Sequence, residues 1–408
     1  MCRELIDSSI PWIGDIPKDW TVELIGNQVK SVDNPNTNGE ESNALQFKMG
    51  TIISKSKGDS KYNPETLEGY NIVDKGVIML NGLNLSFDFI SQRVGLVKER
   101  GVITSTYLAV KPTPNIDSEF LTYLFKSYDN CKAFHSMGRG LRQTLSYGEL
   151  RKNLIVYPSL TEQQKIASFL DRKCSEVDEM IGLQEQIIEE LKAYKQSVIT
   201  EAATKGLNPD APMRDSGIEW IGQIPEHWEV TKFYRICSVI TDFVASGSFE
   251  SLRINVPYLD YPDYAMLVRT VDLSGKGRTA EKVYISKHSY DFLSNSNLFG
   301  GEIILPNIGA SVGDVYIVPN LYERMSLAPN SIMFKTKQCD RYWYYYFYSE
   351  AGKQSIFDIC QSTAQPKFNK TELRDIRVCI PTKNEQQAIA DYLDEKCAYI
   401  YSLIQTIQ

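Results

Sequence analysis

Two short loops concentrate the side chains with the most suggestive chemistry. The first, running from Met137 to Gln143 (MGRGLRQ), carries Arg139, Arg142 and Gln143; the second, from Gln361 to Lys367 (QSTAQPK), carries Gln365 and Lys367. Arginine and lysine can donate to guanine O6 and N7, glutamine can pair with adenine N6 and N7, and all three can hold phosphate oxygens. The glycines and small residues between them let backbone come close to such a partner. Two further basic loops have glycine neighbours and could track phosphate: Lys55 and Lys57 in SKSKGDSK, and Lys276 and Arg278 in SGKGRTAEK. Every one of these residues also has a plain reading as a solvated turn residue.

Other chemistries find no support. No G-x-x-x-x-G-K-[ST] phosphate loop is present, nor an Asn/Asp-Pro-Pro-aromatic motif of the amino-methyltransferase kind. Neither Pro209-Asp210 nor Pro262-Asp263 is followed at suitable distance by a carboxylate-x-Lys, so a nuclease centre is not indicated. His135, His227 and His288 share no motif with a serine or cysteine, and read as surface or packing residues. The eight cysteines contain no C-x-x-C, which argues against zinc and for reduced structural thiols. With no catalytic, metal or cofactor site of its own, the chain is expected to be a non-enzyme. The 408 residues, 42% of them hydrophobic, suffice for two or three domains with real cores. No apolar run is long enough for a membrane span or a signal peptide, so a cytoplasmic protein without membrane contact is expected.

The elements that must position the two loops form a repeated frame. A helical stretch from Thr161 to Thr204 carries a 4-3 hydrophobic seam: Ile166, Leu170, Val177, Met180, Ile187, Leu191 and Val198, interrupted by Lys173 and Gln184. A shift of 223 residues reproduces it as Ile389, Leu393, Ile400, Leu403 and Ile407, with Lys396 in register with Lys173. Around the two starts, nine of thirteen positions agree between Glu162–Cys174 and Glu385–Cys397. Thr161 with Gln164, and Asn384 with Gln387, have the spacing of a helix cap and its return bond. Lys205-Gly206 is a stop signal for the first helix; the second, short or truncated, ends at the equivalent of Glu185. The net charge of −7 resides largely on these two helices and leaves the rest of the chain near neutral.

A second repeat defines the units. DSSIPWIGDIPKDWTV (7–22) and DSGIEWIGQIPEHWEV (215–230) agree at ten of sixteen positions, including Trp12/Trp220 and Trp20/Trp228, which are expected to brace each globular region against its helix. Each region reads as mixed α/β. Strands are predicted at 77–80, 94–98 and 107–112 before a helix over 117–134, and at 302–306, 314–319 and 331–336 before a helix over 340–357. The aromatic run Tyr342–Tyr348 on that last helix points all round its circumference and is expected to be core. After each loop come E-L-R (149–151 and 372–374), a strand and a proline.

Taken together, the W-I-G-x-I-P-x-x-W lead-in, the two variable regions, E-L-R-strand-Pro and E-Q-Q-x-I-A-x-x-L-D resemble the specificity subunit of type I restriction-modification systems over essentially the whole chain. The resemblance implies α/β (α+β) target-recognition domains in two tandem copies, separated by long coiled-coil helices. The domains are then 1–158 and 206–383, with spacer helices at 159–205 and 384–408. It implies that each domain reads half of a split double-stranded DNA target, that the helices pack antiparallel as a spacer, and that they dock two methyltransferase subunits. Endonuclease/translocase subunits would complete the complex, and S-adenosylmethionine, ATP and Mg would serve the partners. The competing reading is a coiled-coil protein–protein adaptor with no DNA readout.

Overall fold

Alternation along single strands decides the layers. In Ile78–Leu80 and its lead-in, Ile78 and Leu80 enter one core with Val94, Val110, Leu121 and Phe125, whereas Val77 and Met79 enter another with Leu45, Val73 and Ile103. A strand covered on both faces must be apolar at every position, and this one is fully buried. The computed structural model describes residues 3–55, 67–87, 92–274, 281–361 and 365–408, and the chain divides into two compact units, Met1–Met180 and Ile181–Gln408.

The central sheet of the first unit is antiparallel, in the order Val29–Ser31, Leu108–Pro112, Ile78–Leu80, Val94–Leu96. The second unit repeats it as Cys237–Asp242, Ser331–Thr336, Ile303–Pro306, Tyr316–Ile317. Its strands obey the same division, with Ile303 and Leu305 in one core and Ile304 in another. The repeated lead-in forms a hairpin in each unit, Leu5–Asp7 with Asp15–Pro17 and Met213–Asp215 with Gln223–Pro225. The strand after E-L-R pairs back on the lead-in in each: Leu154–Tyr157 on Thr21–Leu24, and Arg377–Ile380 on Glu229–Lys232. The second unit adds a sheet over Tyr284–Ile285, Ala265–Val268, Met325–Leu327 and Asn297–Leu298, with a parallel pair at its centre.

Several expectations from sequence are corrected. The helix predicted over 117–134 is Ser118–Asn130 followed by a separate Ala133–Met137, because Lys132 takes a left-handed conformation between them. The helix predicted over 340–357 breaks at Ser349, which is extended and whose side chain caps Glu350–Asp358 by accepting from Gly352 N–H. Glycine is required at 352, since a Cβ there would lie 2.0 Å from the Tyr346 carbonyl oxygen. The strand at 314–319 shrinks to Tyr316–Ile317. The aromatic run is core as expected: Tyr342, Trp343, Tyr346 and Phe347 are buried, with Trp343 and Phe347 edge-on to Phe233.

The long helices run Leu160–Lys205 and Lys383–Ile407. Their caps lie two residues upstream of the predicted ones. Thr382 and Glu385 form a reciprocal capping box, while Gln387 is already inside the helix and bonds Asp391 instead. At the equivalent first start, the Ser159 carbonyl accepts from Glu162 and Gln163. The stop at Gly206 is as expected, with φ +76° and its N–H on the Ala202 carbonyl.

The seam is not a continuously buried stripe. Ile389, Leu393 and Ile400 are buried and Leu403 and Ile407 half-buried, whereas Ile166, Leu170, Leu191 and Val198 are half-buried and Val177, Met180 and Ile187 are exposed. Within the second unit, Tyr392 shares a cleft with Tyr194, Val198 and Ala202, and Ile199 and Ala202 join the core containing Ile389 and Leu393. At the other end the first helix buries Gln163 and Ala167 against the first unit. The boundary between units therefore falls inside this helix, each end belonging to the unit it packs on.

Candidate nucleic-acid interface

The frame is braced by the same side chains in both copies. Gln163 and Gln386, equivalent under the 223-residue shift, are completely buried. Gln163 accepts from Asp117 N–H at 2.8 Å and donates to the Asn115 and Pro158 carbonyls, tying the start of the long helix to the N-cap of Ser118–Asn130. Gln386 accepts from Cys339 N–H and donates to Pro381 O and Gln338 Oε1, tying the second helix to the start of Asp340–Tyr348. Gln163→Leu is expected to strand the Asp117 N–H and cost about 2 kcal/mol of the first unit's stability, read by urea unfolding; an unchanged midpoint would count against this bracing.

The neighbouring glutamates also recur. Glu162 pairs with Arg3, whose hydrogen bond holds the carboxyl below its ordinary range. Burial works against the Glu385 charge, but bonds from His227, Thr382 and Trp228 outweigh it and hold that carboxyl low too. The two tryptophans of the second lead-in divide the bracing between them, whereas in the first lead-in Trp20 packs edge-on to Phe120 of the same domain helix that Trp12 meets. Trp12 packs edge-on to Tyr128 and Trp220 donates to Ser355, both on the domain helices, whereas Trp228 reaches Glu385 at the helix start.

In the first unit the loop is a tight turn. Arg139 and Thr144 exchange both backbone hydrogen bonds, at 3.1 and 2.9 Å, and Gln143 N–H returns to the Gly140 carbonyl. Gly140 (φ +80°) and Gln143 (φ +46°) are both left-handed. Its base is pinned by Leu85 N–H on Gln143 O and Leu145 N–H on Gly82 O. Segment 81–84 is held in turn by Arg93, a buried guanidinium that donates to the Asn81 and Leu83 carbonyls at 2.9 and 2.7 Å. Arg139 pairs with Glu149 of E-L-R at 2.9 Å; Arg142 is exposed, and no ion pair is found for it among the described residues.

The described ends of the second loop are held from the same E-L-R position. Gln361 is held by Glu372, the E-L-R glutamate, and its N–H bonds the Lys367 carbonyl. Lys367 bridges Ile308, Gly309 N–H bonds Pro366 O, and Asn307 clasps Phe368 through backbone and side chain. Gln365 and Lys367 are exposed. Beside them lies a groove of about 430 Å³ lined by Tyr258, Arg269, Ile308, Ser311 and Asn330 among others. Arg269 in that groove is anchored by Asp272 at 3.0 Å. No pattern in the sequence marked this groove, because 258, 269, 308 and 330 meet only through the sheets.

Of the other basic residues, Lys55 is half-buried at the end of Thr51–Ser54, with its N–H on Ala44 O. Lys57, Lys276 and Arg278 lie outside the described residues. His227 and His288 make local hydrogen bonds to Glu385 and Asn255. Among the described residues no group of three or more His, Cys, Asp or Glu could hold a metal, and no helix is long and apolar enough to cross a membrane.

Two loops on duplicated frames can be compared with known proteins. The chain is similar over 397 residues, at 24% identity, to the type I restriction enzyme MjaVIII specificity subunit of Methanocaldococcus jannaschii, covering 93% of this chain and 86% of that protein. The putative MjaX specificity subunit of the same organism is 25% identical over 402 residues, covering 93% and 87%. Among solved structures, a chain from a study of assembly and conformational transition of the type I R-M system aligns with a TM-score of 0.65 at 12% identity, over 96% of this chain and 93% of that one. The HsdS subunit of Thermoanaerobacter tengcongensis aligns at 0.53 with 14% identity, over 96% and 92%. These two likenesses concern the fold, which is the mixed α/β unit in tandem with a long helix between. The profile of the type I restriction modification DNA specificity domain matches residues 92–193 and 226–407, one segment for each copy of the frame, and the chain belongs to that family.

Proposed function

We propose that this chain is the DNA-reading subunit of a type I restriction-modification complex, each unit reading one half of a split double-stranded target. The observation that carries this is a common frame bearing different loops: Glu149 and Glu372, and Gln163 and Gln386, brace both copies alike, while Arg139, Arg142 and Gln143 in one loop give way to Gln365 and Lys367 in the other. A frame kept while its loops diverge suits two related readouts. The family match favours this over an adaptor without DNA readout.

In this reading the long helix sets the number of unread bases. Its exposed apolar side chains, Phe169, Val177, Met180, Ile181, Leu183 and Ile187, offer contact area to two methyltransferase subunits. Methylation and cleavage fall to partners, the methyltransferases using S-adenosylmethionine and endonuclease/translocase subunits using ATP and Mg, in the cytoplasm. The chain's own residues bind and orient the duplex.

The test is half-site genetics. Arg142→Ala is expected to relax one half-site and Lys367→Ala the other, each by about 1–3 kcal/mol if the side chain bonds a base edge. Sequencing of methylated sites in a host expressing each variant with the cognate methyltransferase reads this out. Uniform weakening on all sequences would demote these residues to phosphate contacts, and an unchanged methylome for both would remove the two loops from the interface.

A further inference from the structure

Leu141 stands at the tip of the Arg139–Thr144 turn with a relative exposure of 102%, whereas Phe299, the next most exposed large hydrophobic among the described residues, reaches 74%. The turn is built to hold it there. Its ends are locked by the paired backbone bonds of Arg139 and Thr144, two left-handed residues close it, and its base is pinned to 82–85. The packing is tight: a Cβ on Gly82 would meet the Leu145 carbonyl oxygen at 2.5 Å, and one on Gly138 would meet Leu85 Cδ1 at 2.9 Å. The fold gains nothing from an apolar side chain at this tip, where a polar one would be solvated without cost. A singly exposed leucine is ordinary in itself; this one is set apart by standing on a pinned turn between two arginines. Arg142 beside it is exposed, and Arg139 is 73% exposed although paired with Glu149, so the apolar tip is flanked by guanidinium groups that can reach phosphates on either side of a groove.

We propose that Leu141 is an apolar wedge that enters the base stack of the bound duplex, unstacking one step within the half-site of the first unit. This rests on the DNA-reading assignment and adds to it a mode of readout, because the cost of unstacking depends on the base step and selects sequence without a hydrogen bond. The 223-residue shift puts Ala364 at the corresponding position of the second copy, so the distortion is confined to one half-site.

The experiment uses the full chain at micromolar concentration and low salt. Bound duplexes are first selected from a randomised pool, then resynthesised with 2-aminopurine placed in turn along the target. Wild type is expected to raise fluorescence at one position in one half-site. Leu141→Ala should bind about tenfold more weakly, the share expected of one apolar side chain, and show no rise; Leu141→Phe, which keeps a wedge, should restore both. A full rise with Leu141→Ala, or wild-type binding with no rise at any position, overturns the wedge while leaving DNA reading intact; the latter with weakened Leu141→Ala would make Leu141 a groove contact. Failure to select any duplex sinks the DNA-reading assignment and the wedge with it. Normal DNA behaviour of Leu141→Ala, combined with loss of methyltransferase co-purification, would overturn the proposal in favour of a protein contact.

Discussion

Leu393→Asp is expected to unfold the second unit, whereas Leu170→Asp leaves the first unit folded. The two leucines are equivalent under the 223-residue shift and sit at the same seam position. Their surroundings are not equivalent. Leu393 is completely buried in the core containing Ile199, Ala202, Tyr342, Trp343 and Tyr346, while Leu170 is half-buried and followed by exposed residues from Asp171 to Ile187. Replacing Leu393 forfeits its packing and puts a carboxyl where nothing can solvate it, together about 5 kcal/mol or more. That rivals the whole stability of an ordinary domain, about 5–15 kcal/mol. At Leu170 the carboxylate can reach water, and the cost should be about 1 kcal/mol. Near-ultraviolet circular dichroism with urea titration separates the cases, because the Tyr342–Tyr348 cluster dominates the aromatic core of the second unit. An unchanged aromatic spectrum in Leu393→Asp would show that the helix start is not part of that core.

Inserting seven residues between Asp178 and Glu179 is expected to widen the gap between half-sites and leave the bases of each half-site unchanged. The insertion falls in the stretch from Asp171 to Ile187, which is exposed throughout and is not part of either unit's core. Seven helical residues add about 10 Å and return the helix to nearly the same face, so both ends keep their packing. Binding at the original spacing should fall by about a hundredfold, since one half-site can then be engaged only at the expense of the other. Selection from a randomised pool, with and without the insertion, reads the gap directly. A half-site whose bases changed while the gap did not would rule out the helix as the spacer.

Much of this was legible along the chain because it is local or repeated. Self-similarity at shifts of 208 and 223 residues exposes two units without any knowledge of their fold. The alternation of Val77, Ile78, Met79 and Leu80 between two cores is the ordinary consequence of a period of two in a strand covered on both faces. The end of the long helix follows from Gly206, whose left-handed backbone needs no distant partner.

What only the tertiary structure decided depends on which distant residues arrive to cover a face. A 4-3 seam says which side chains share a stripe; it does not say that Leu393 joins the core of Trp343 while Val177 is exposed, because that turns on which other elements pack over each position. The break at Ser349 depends on its side chain finding Gly352 N–H and on a backbone contact that only glycine tolerates. Gln163 and Gln386 looked like two letters of a helix-start motif until their amides were seen to clasp residues more than forty positions away. Leu141 was one residue of a basic loop, and only the pinning of that loop by segment 82–85 leaves its side chain wholly in solvent. Periodicity and repetition are properties of neighbours in sequence, whereas burial and exposure are settled by neighbours in space.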